Sequence, residues 1–119
     1  MASQHHTLAK LRADLRRFAA ARDWQQFHTP KNLAMALAVE AAELLEHFQW
    51  LTAEQSARLG VRRRHAVAEE IADVLLYLTR LADVLGIDPL AAARRKLRAN
   101  ARKYPVARAR GNARKYSEL

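Results

Sequence analysis

A chain of 119 residues fits one domain, residues 1–119, long enough to bury a core. It is half apolar yet has only three glycines and 7% aromatic residues, a mixture rich in Ala, Leu and Arg that favours helix throughout. The lack of cysteine excludes disulfides and thiolate metal sites; no apolar run approaches the ~18 residues of a membrane span, and none forms a signal-peptide core, so no membrane is expected and the setting is read as cytoplasmic. The net charge of +9 is one-sided. Residues 1–89 carry 11 Lys and Arg against 11 Asp and Glu, whereas residues 90–119 carry 10 against Glu118 alone. Such an end suits nucleic acid, a membrane surface or a polyphosphate.

In chain order, Thr7 can cap a first helix through Arg22, with Leu8, Leu11, Leu15 and Phe18 as its apolar stripe. The segment DWQQFHTPKN (Asp23–Asn32) breaks that pattern, leaving Trp24, Phe27 and His28 in a loop or short turn. Pro30 suits the first turn of a second helix, which should run to about Trp50. Thr52 then caps a short helix through Leu59, ended by Gly60. A third helix spans Val61 to Leu85 and closes at Gly86. On it Val67, Ile71, Val74, Leu75, Leu78, Leu81 and Leu85 fall within about 120° of one another, a core stripe, while Leu76 points to the opposite side. Leu76, and Met35 on helix two, therefore suggest an oligomer contact. Asp88-Pro89 opens a fourth helix to about Lys103, and Pro105 stops it. The basic tail, Val106 to Leu119, has no periodicity and is expected to be extended. The fold expected is all-α, an antiparallel arrangement resembling a four-helix bundle.

Against this apolar background the carboxylates stand out. In VEAAELLEHFQW (Val39–Trp50), Glu40 falls inside the stripe defined by Leu33, Leu37 and Leu44, with Glu43 and Glu46 stepping outward by about 60° each. A carboxylate in a core stripe loses hydration at large cost unless charge or hydrogen bonds compensate. The third helix repeats the spacing, with Glu70 and Asp73 at the edge of its own stripe. Two i,i+3 pairs on neighbouring helices can meet, and four carboxylates together repel unless a cation intervenes. An all-oxygen set suits Mg²⁺ or Mn²⁺ rather than zinc. A ferritin-like di-iron site would need Glu-x-x-His pairs, which this spacing does not supply. Hard metal and a basic end together point to a polyphosphate ligand. Trp24, Trp50 and Tyr77 are candidates for a wall that stacks on a base, Tyr77 foremost because it shares a helix face with Glu70 and Asp73.

These segments resemble the MazG-like nucleotide pyrophosphohydrolases of the all-α NTP pyrophosphatase superfamily, and within them the dCTP pyrophosphatases. The likeness rests on RDWQQFHTPKNL (Arg22–Leu33), VEAAELLEHFQW (Val39–Trp50), EEIADVLLYL (Glu69–Leu78), NARKYP (Asn100–Pro105) and RGNARKY (Arg110–Tyr116). It implies hydrolysis of a (deoxy)nucleoside triphosphate, dCTP or a modified dCTP, to the monophosphate and pyrophosphate, a nucleotide-pool house-cleaning activity. The resemblance also implies Mg²⁺ on Glu40, Glu43, Glu70 and Asp73, and a base pocket that includes Trp24, Trp50 and Tyr77. Lys96, Asn100, Lys103 and Tyr104 match positions at the nucleotide or phosphate end, and Glu46 matches a carboxylate near the metals that can orient the water. Family members are homo-dimers or homo-tetramers with sites between subunits. Two departures accompany the likeness. The connection between helices two and three is shorter than in mammalian relatives. Leu15 stands where those relatives carry a base-contacting histidine, and His28, in the FHTP turn, is read as structural. The rival from another class is a nucleic-acid-binding helical module using the basic end, which leaves the position of Glu40 unexplained.

Overall fold

A computed structural model describes residues 6–119, and among them there are helices and turns but no strand. The helices are α1 (Leu8–Ala21), α2 (Pro30–Glu46), α3 (Ala53–Ser56), α4 (Val61–Val84), α5 (Pro89–Lys103) and α6 (Val106–Ala109). Two 3₁₀ turns join them, Gln25–Phe27 and Tyr116–Glu118. The contacts divide the chain into two compact units that meet in sequence at Gly86 and Ile87.

Short polar side chains set the helix starts. Thr7 Oγ1 accepts from the Lys10 amide at 3.1 Å, Thr29 Oγ1 from the Asn32 amide at 3.2 Å, and Asp88 Oδ1 from the Leu90 and Ala91 amides at 3.0 and 3.1 Å. Each satisfies amides that have no carbonyl one turn earlier. Thr52 and Gln55 form a reciprocal capping box, at 3.1 and 2.9 Å, which gives the four-residue α3 a defined start. Gly86 leaves α4 at φ +68°, a left-handed conformation that costs glycine nothing.

In the first unit α4 is the central element, packed broadly against α2 and also against α1. Its fully buried residues are Val67, Thr79 and Ala82, matched by Leu33 on α2 and Ala19 on α1. Small residues at Ala19 and Ala82 let the helices approach closely. The long apolar stripe expected on α4 is only partly a core. Val67 is buried, but Ile71, Leu75, Leu78 and Leu85 stay 43–53% exposed. Leu76, expected to point outward, is half-buried, because α1 and the turn after it cover the side of α4 that lies across from the stripe. Periodicity located an apolar face correctly and mistook which face this chain covers by itself. Met35 is exposed as expected.

Two further expectations are corrected. Helix two stops at Glu46 rather than near Trp50: the amides of Phe48 and Gln49 both turn back to the Leu45 carbonyl, and the chain passes through turns to Thr52. Thr52 must be extended to cap α3, and that ends any continuation. The tail is not uniformly extended either. In the second unit, Pro105 starts α6, and the chain folds back so that Tyr116 meets the ring of Tyr104 edge-on at 6.1 Å, with Lys103 Nζ 4.9 Å from its centroid. Aromatic and cation–π contacts replace the missing apolar period.

Candidate active site

The carboxylates of α2 and α4 converge. One oxygen each from Glu40, Glu43 and Glu70 lies within 4.8 Å of the others. Asp73 is close enough for its charge to act on Glu40. All four are half-buried. Glu40 Oε2 and Glu70 Oε2 are inaccessible to solvent and accept no hydrogen bond. Burial first, and then the neighbouring Glu43, Glu70 and Asp73, push the Glu40 carboxyl up to about 7. The residues therefore fit a divalent cation. They supply hard oxygen donors, two of them orphaned, in a place where negative charge is held at high cost. Glu46, the last residue of α2, lies exposed outside this group.

One turn of α4 beyond Asp73, the surface opens into a cavity of about 150 Å³. Its walls come from α1 (Leu15, Phe18), from the turn after it (Trp24, His28) and from α4 (Asp73, Leu76, Tyr77, Arg80), with Leu33 also lining it. Asp73 thus lines the cavity and lies near enough to the carboxylate group for its charge to act on Glu40. The volume is below the roughly 300–1,000 Å³ of a site that encloses a whole small molecule. It has room for a group the size of a nucleobase.

The turn that carries Trp24 and His28 is tightly specified. Asp23 takes φ +54°, a left-handed position that Asp tolerates, and so ends α1. The Trp24 amide donates to the Ala19 carbonyl at 2.9 Å, and the His28 amide to the carbonyls of Trp24 and Gln25 at 3.2 and 3.1 Å. Gln26 Nε2 donates to the Asp23 carbonyl at 3.0 Å, and Asn32 Nδ2 to the Phe27 carbonyl at 3.1 Å, so the turn is fastened at both ends. Trp24 meets Phe18 edge-on at 5.6 Å, and the Arg22 guanidinium lies 3.7 Å from the Phe18 centroid.

Beside the cavity lies a second carboxylate, Asp83. Arg16 grips it from α1 through Nε at 2.7 Å and a terminal nitrogen at 2.5 Å, and Arg80 donates to it at 3.4 Å. Hydrogen bonding to Arg16 leads the causes that hold Asp83 below the ordinary carboxylate range, with the charges of Arg80 and Arg12 adding to it. The Nε of Arg80 turns the other way and donates to His28 Nδ1 at 3.1 Å.

The structure thus groups Glu40, Glu43 and Glu70, with Asp73 near enough for its charge to act on Glu40, and sets Trp24 and Tyr77 in the wall of the adjoining cavity. Trp50 stands apart, 87% exposed in the turns after α2. Lys96, Asn100, Lys103 and Tyr104 lie on or at the end of α5 in the second unit. The Arg16–Asp83–Arg80–His28 chain went unnoticed in the sequence. Its only local trace is the i,i+3 spacing of Arg80 and Asp83, since Arg16 is 67 positions away from its partner.

Comparison with known proteins gives concordant results. The sequence profile of the MazG-like family matches residues 35–119. The dCTP pyrophosphatase 1 of Homo sapiens is 44% identical over 119 aligned positions, which cover 98% of this chain and 70% of that protein; that of Bos taurus is 43% identical over the same shares. Among solved structures, a pyrophosphatase from Archaeoglobus fulgidus DSM 4304 superimposes with a TM-score of 0.79 at 46% identity, covering 88% of this chain and 98% of that one.

Proposed function

The chain belongs to the MazG-like family, and from that premise we propose that it hydrolyses a (deoxy)nucleoside triphosphate, dCTP or a modified dCTP, to the monophosphate and pyrophosphate with Mg²⁺. The observation that carries the reading is the junction at Asp73. A carboxylate group with two orphaned buried oxygens there adjoins an aromatic cavity sized for a base. Glu40, Glu43, Glu70 and Asp73 would hold the metal. When bound, a divalent ion supplies Lewis-acid charge that orients phosphates and stabilises the negative charge developing on the departing pyrophosphate. Mn²⁺ satisfies the same donors.

The residues of the chain have distinct tasks in this reading. Trp24 and Tyr77 bind the base and so fix the distance from ring to triphosphate, which is the positioning that such chemistry needs most. Glu46 orients the attacking water. Lys96, Asn100, Lys103 and Tyr104 are the proposed contacts for the phosphate end. Trp50 completes the base wall in a homo-dimer or homo-tetramer. Its near-complete exposure on a single chain, together with the uncovered Ile71, Leu75 and Leu78 of α4, favours such an assembly. No helix among the described residues is long and apolar enough to cross a membrane, in keeping with a nucleotide-pool role in the cytoplasm.

The test is direct. Purified protein with Mg²⁺ and a panel of dNTPs should release pyrophosphate, fastest from dCTP or its modified forms. Release of single phosphate, or no turnover of any nucleotide, would overturn the mechanism.

A further inference from the structure

His28 is the only ring in the cavity wall with a polar atom on each side, and the two sides are treated differently. Nδ1 accepts from Arg80 Nε at 3.1 Å. A guanidinium has donors only and keeps its protons, so Nδ1 must present its lone pair. A neutral imidazole with a bare Nδ1 carries its proton on Nε2. Burial, and then the nearby charge of Arg80, keep the ring below its ordinary range and therefore neutral at pH 7. Nε2 makes no hydrogen bond among the described residues and is open to solvent.

The parts around this nitrogen are held. The backbone of His28 is bonded to the turn on its own side, and its ring meets Trp24 edge-on at 6.3 Å. Arg80 is fixed in turn by Asp83, and Asp83 by the two-pronged grip of Arg16. A donor locked on a rigid wall is what selective recognition requires, since little ordering remains to be done on binding.

We propose that His28 is a specificity-determining residue that donates Nε2–H to the 2-carbonyl oxygen of a pyrimidine base in the Trp24–Tyr77 cavity, with Arg80 as the positioning residue that fixes its tautomer. The inference rests on the nucleotide reading above and deepens it. The cavity has room for a base and not for a whole nucleotide. All pyrimidine bases carry an acceptor at position 2, whereas position 4 is an amine in cytosine and a carbonyl in thymine. A single N–H at the 2-carbonyl therefore reads pyrimidine and does not separate cytosine from thymine; that choice falls to other groups.

The experiment measures binding of dCMP, dTMP and the 2-thio analogue of dCMP in Mg²⁺, followed by tryptophan fluorescence, for the wild type, His28→Ala, His28→Gln and Arg80→Met. The wild type should bind dCMP about tenfold more tightly than the weakly accepting 2-thio analogue, the loss expected for one neutral hydrogen bond. His28→Ala should weaken dCMP and dTMP by about the same factor and bind dCMP and its analogue alike. His28→Gln, which retains a donor, should recover part of the affinity. The ¹⁵N spectrum of His28 should show a protonated Nε2 in the wild type and a mixed tautomer in Arg80→Met. Equal wild-type affinity for dCMP and the analogue would overturn the proposal without recourse to any variant. So would full dCMP affinity in His28→Ala, or an Nδ1-protonated ring. Pyrophosphate release from dCTP is measured in parallel. Selective dCMP binding without release overturns the hydrolytic reading and upholds His28, whereas release with binding indifferent to His28 overturns only the inference made here.

Discussion

Glu40 and Asp83 are both carboxylates drawn inside the first unit, and their surroundings push them in opposite directions. Asp83 has two arginines built around it and is held below the ordinary carboxylate range. Glu40 has three acidic neighbours and no ion-pair partner among the described residues, and is raised to about 7. One carboxylate is complete within the chain, and the other leaves a buried oxygen without a partner. The contrast separates structure from function on physical grounds. A group whose charge is compensated by the fold serves the fold, and one left uncompensated by like-charged neighbours awaits something from outside.

The largest effect should follow from Glu43→Gln. It removes a charge from the uncompensated group, so pyrophosphate release should fall to background while the metal-free protein melts no lower than the wild type. A loss of activity accompanied by unfolding would make Glu43 structural and collapse the contrast. Next comes Asp83→Ala, which strands Arg80, itself 11% exposed, without its partner. Urea denaturation should show a loss of roughly 2–4 kcal/mol, a little under the ~3–5 kcal/mol for breaking a fully buried pair from one side, because Arg16 of the same cluster is largely in water.

The pH dependence should also differ between the two regions. With its folded-state carboxyl raised from 4.5 to about 7, Glu40 binds its proton more tightly in the folded chain than in the unfolded one. Metal-free stability should therefore fall as pH rises through about 4.5 to 7 and level off above that window. Mg²⁺ or Glu40→Gln should flatten the slope, as chemical denaturation at a series of pH values would reveal. Asp83 has the opposite sign: its contribution is present above its ordinary value and is lost as pH falls through its depressed one. The smallest effect belongs to Arg16→Ala. The Arg16 side chain is 58% exposed, so water screens much of the pair, and the loss in the same denaturation assay should be the smallest of the series.

Much of this was readable in advance, for local reasons. Thr7 and Thr52 as caps, and Pro30 and Pro89 as first-turn residues, act over a few positions, so local sequence located four helix starts, where the structure shows Thr7, Thr29, Thr52 and Asp88 bonding amides two or three residues on. The carboxylate pairs were visible for the same reason, as an i,i+3 repeat next to apolar residues. The end of α2 was misjudged because Phe48 and Trp50 continue the apolar character after the backbone has turned. The stripe on α4 was misjudged because periodicity gives the apolar face of a helix and cannot say whether its own chain or another copy covers it.

By itself, then, the sequence determined an all-helical chain, where every helix but α6 begins, and which four carboxylates deserved notice, because capping, helical period and burial cost act over a few residues. Only the tertiary structure decided that Glu40, Glu43 and Glu70 approach within 4.8 Å, and that Asp73, whose charge reaches Glu40, also lines a base-sized cavity. It alone joined Arg16 to Asp83 across 67 positions and so, through Arg80, fixed the tautomer of His28. Those relations depend on how two helices and a turn pack against α4, and no spacing along the chain encodes them.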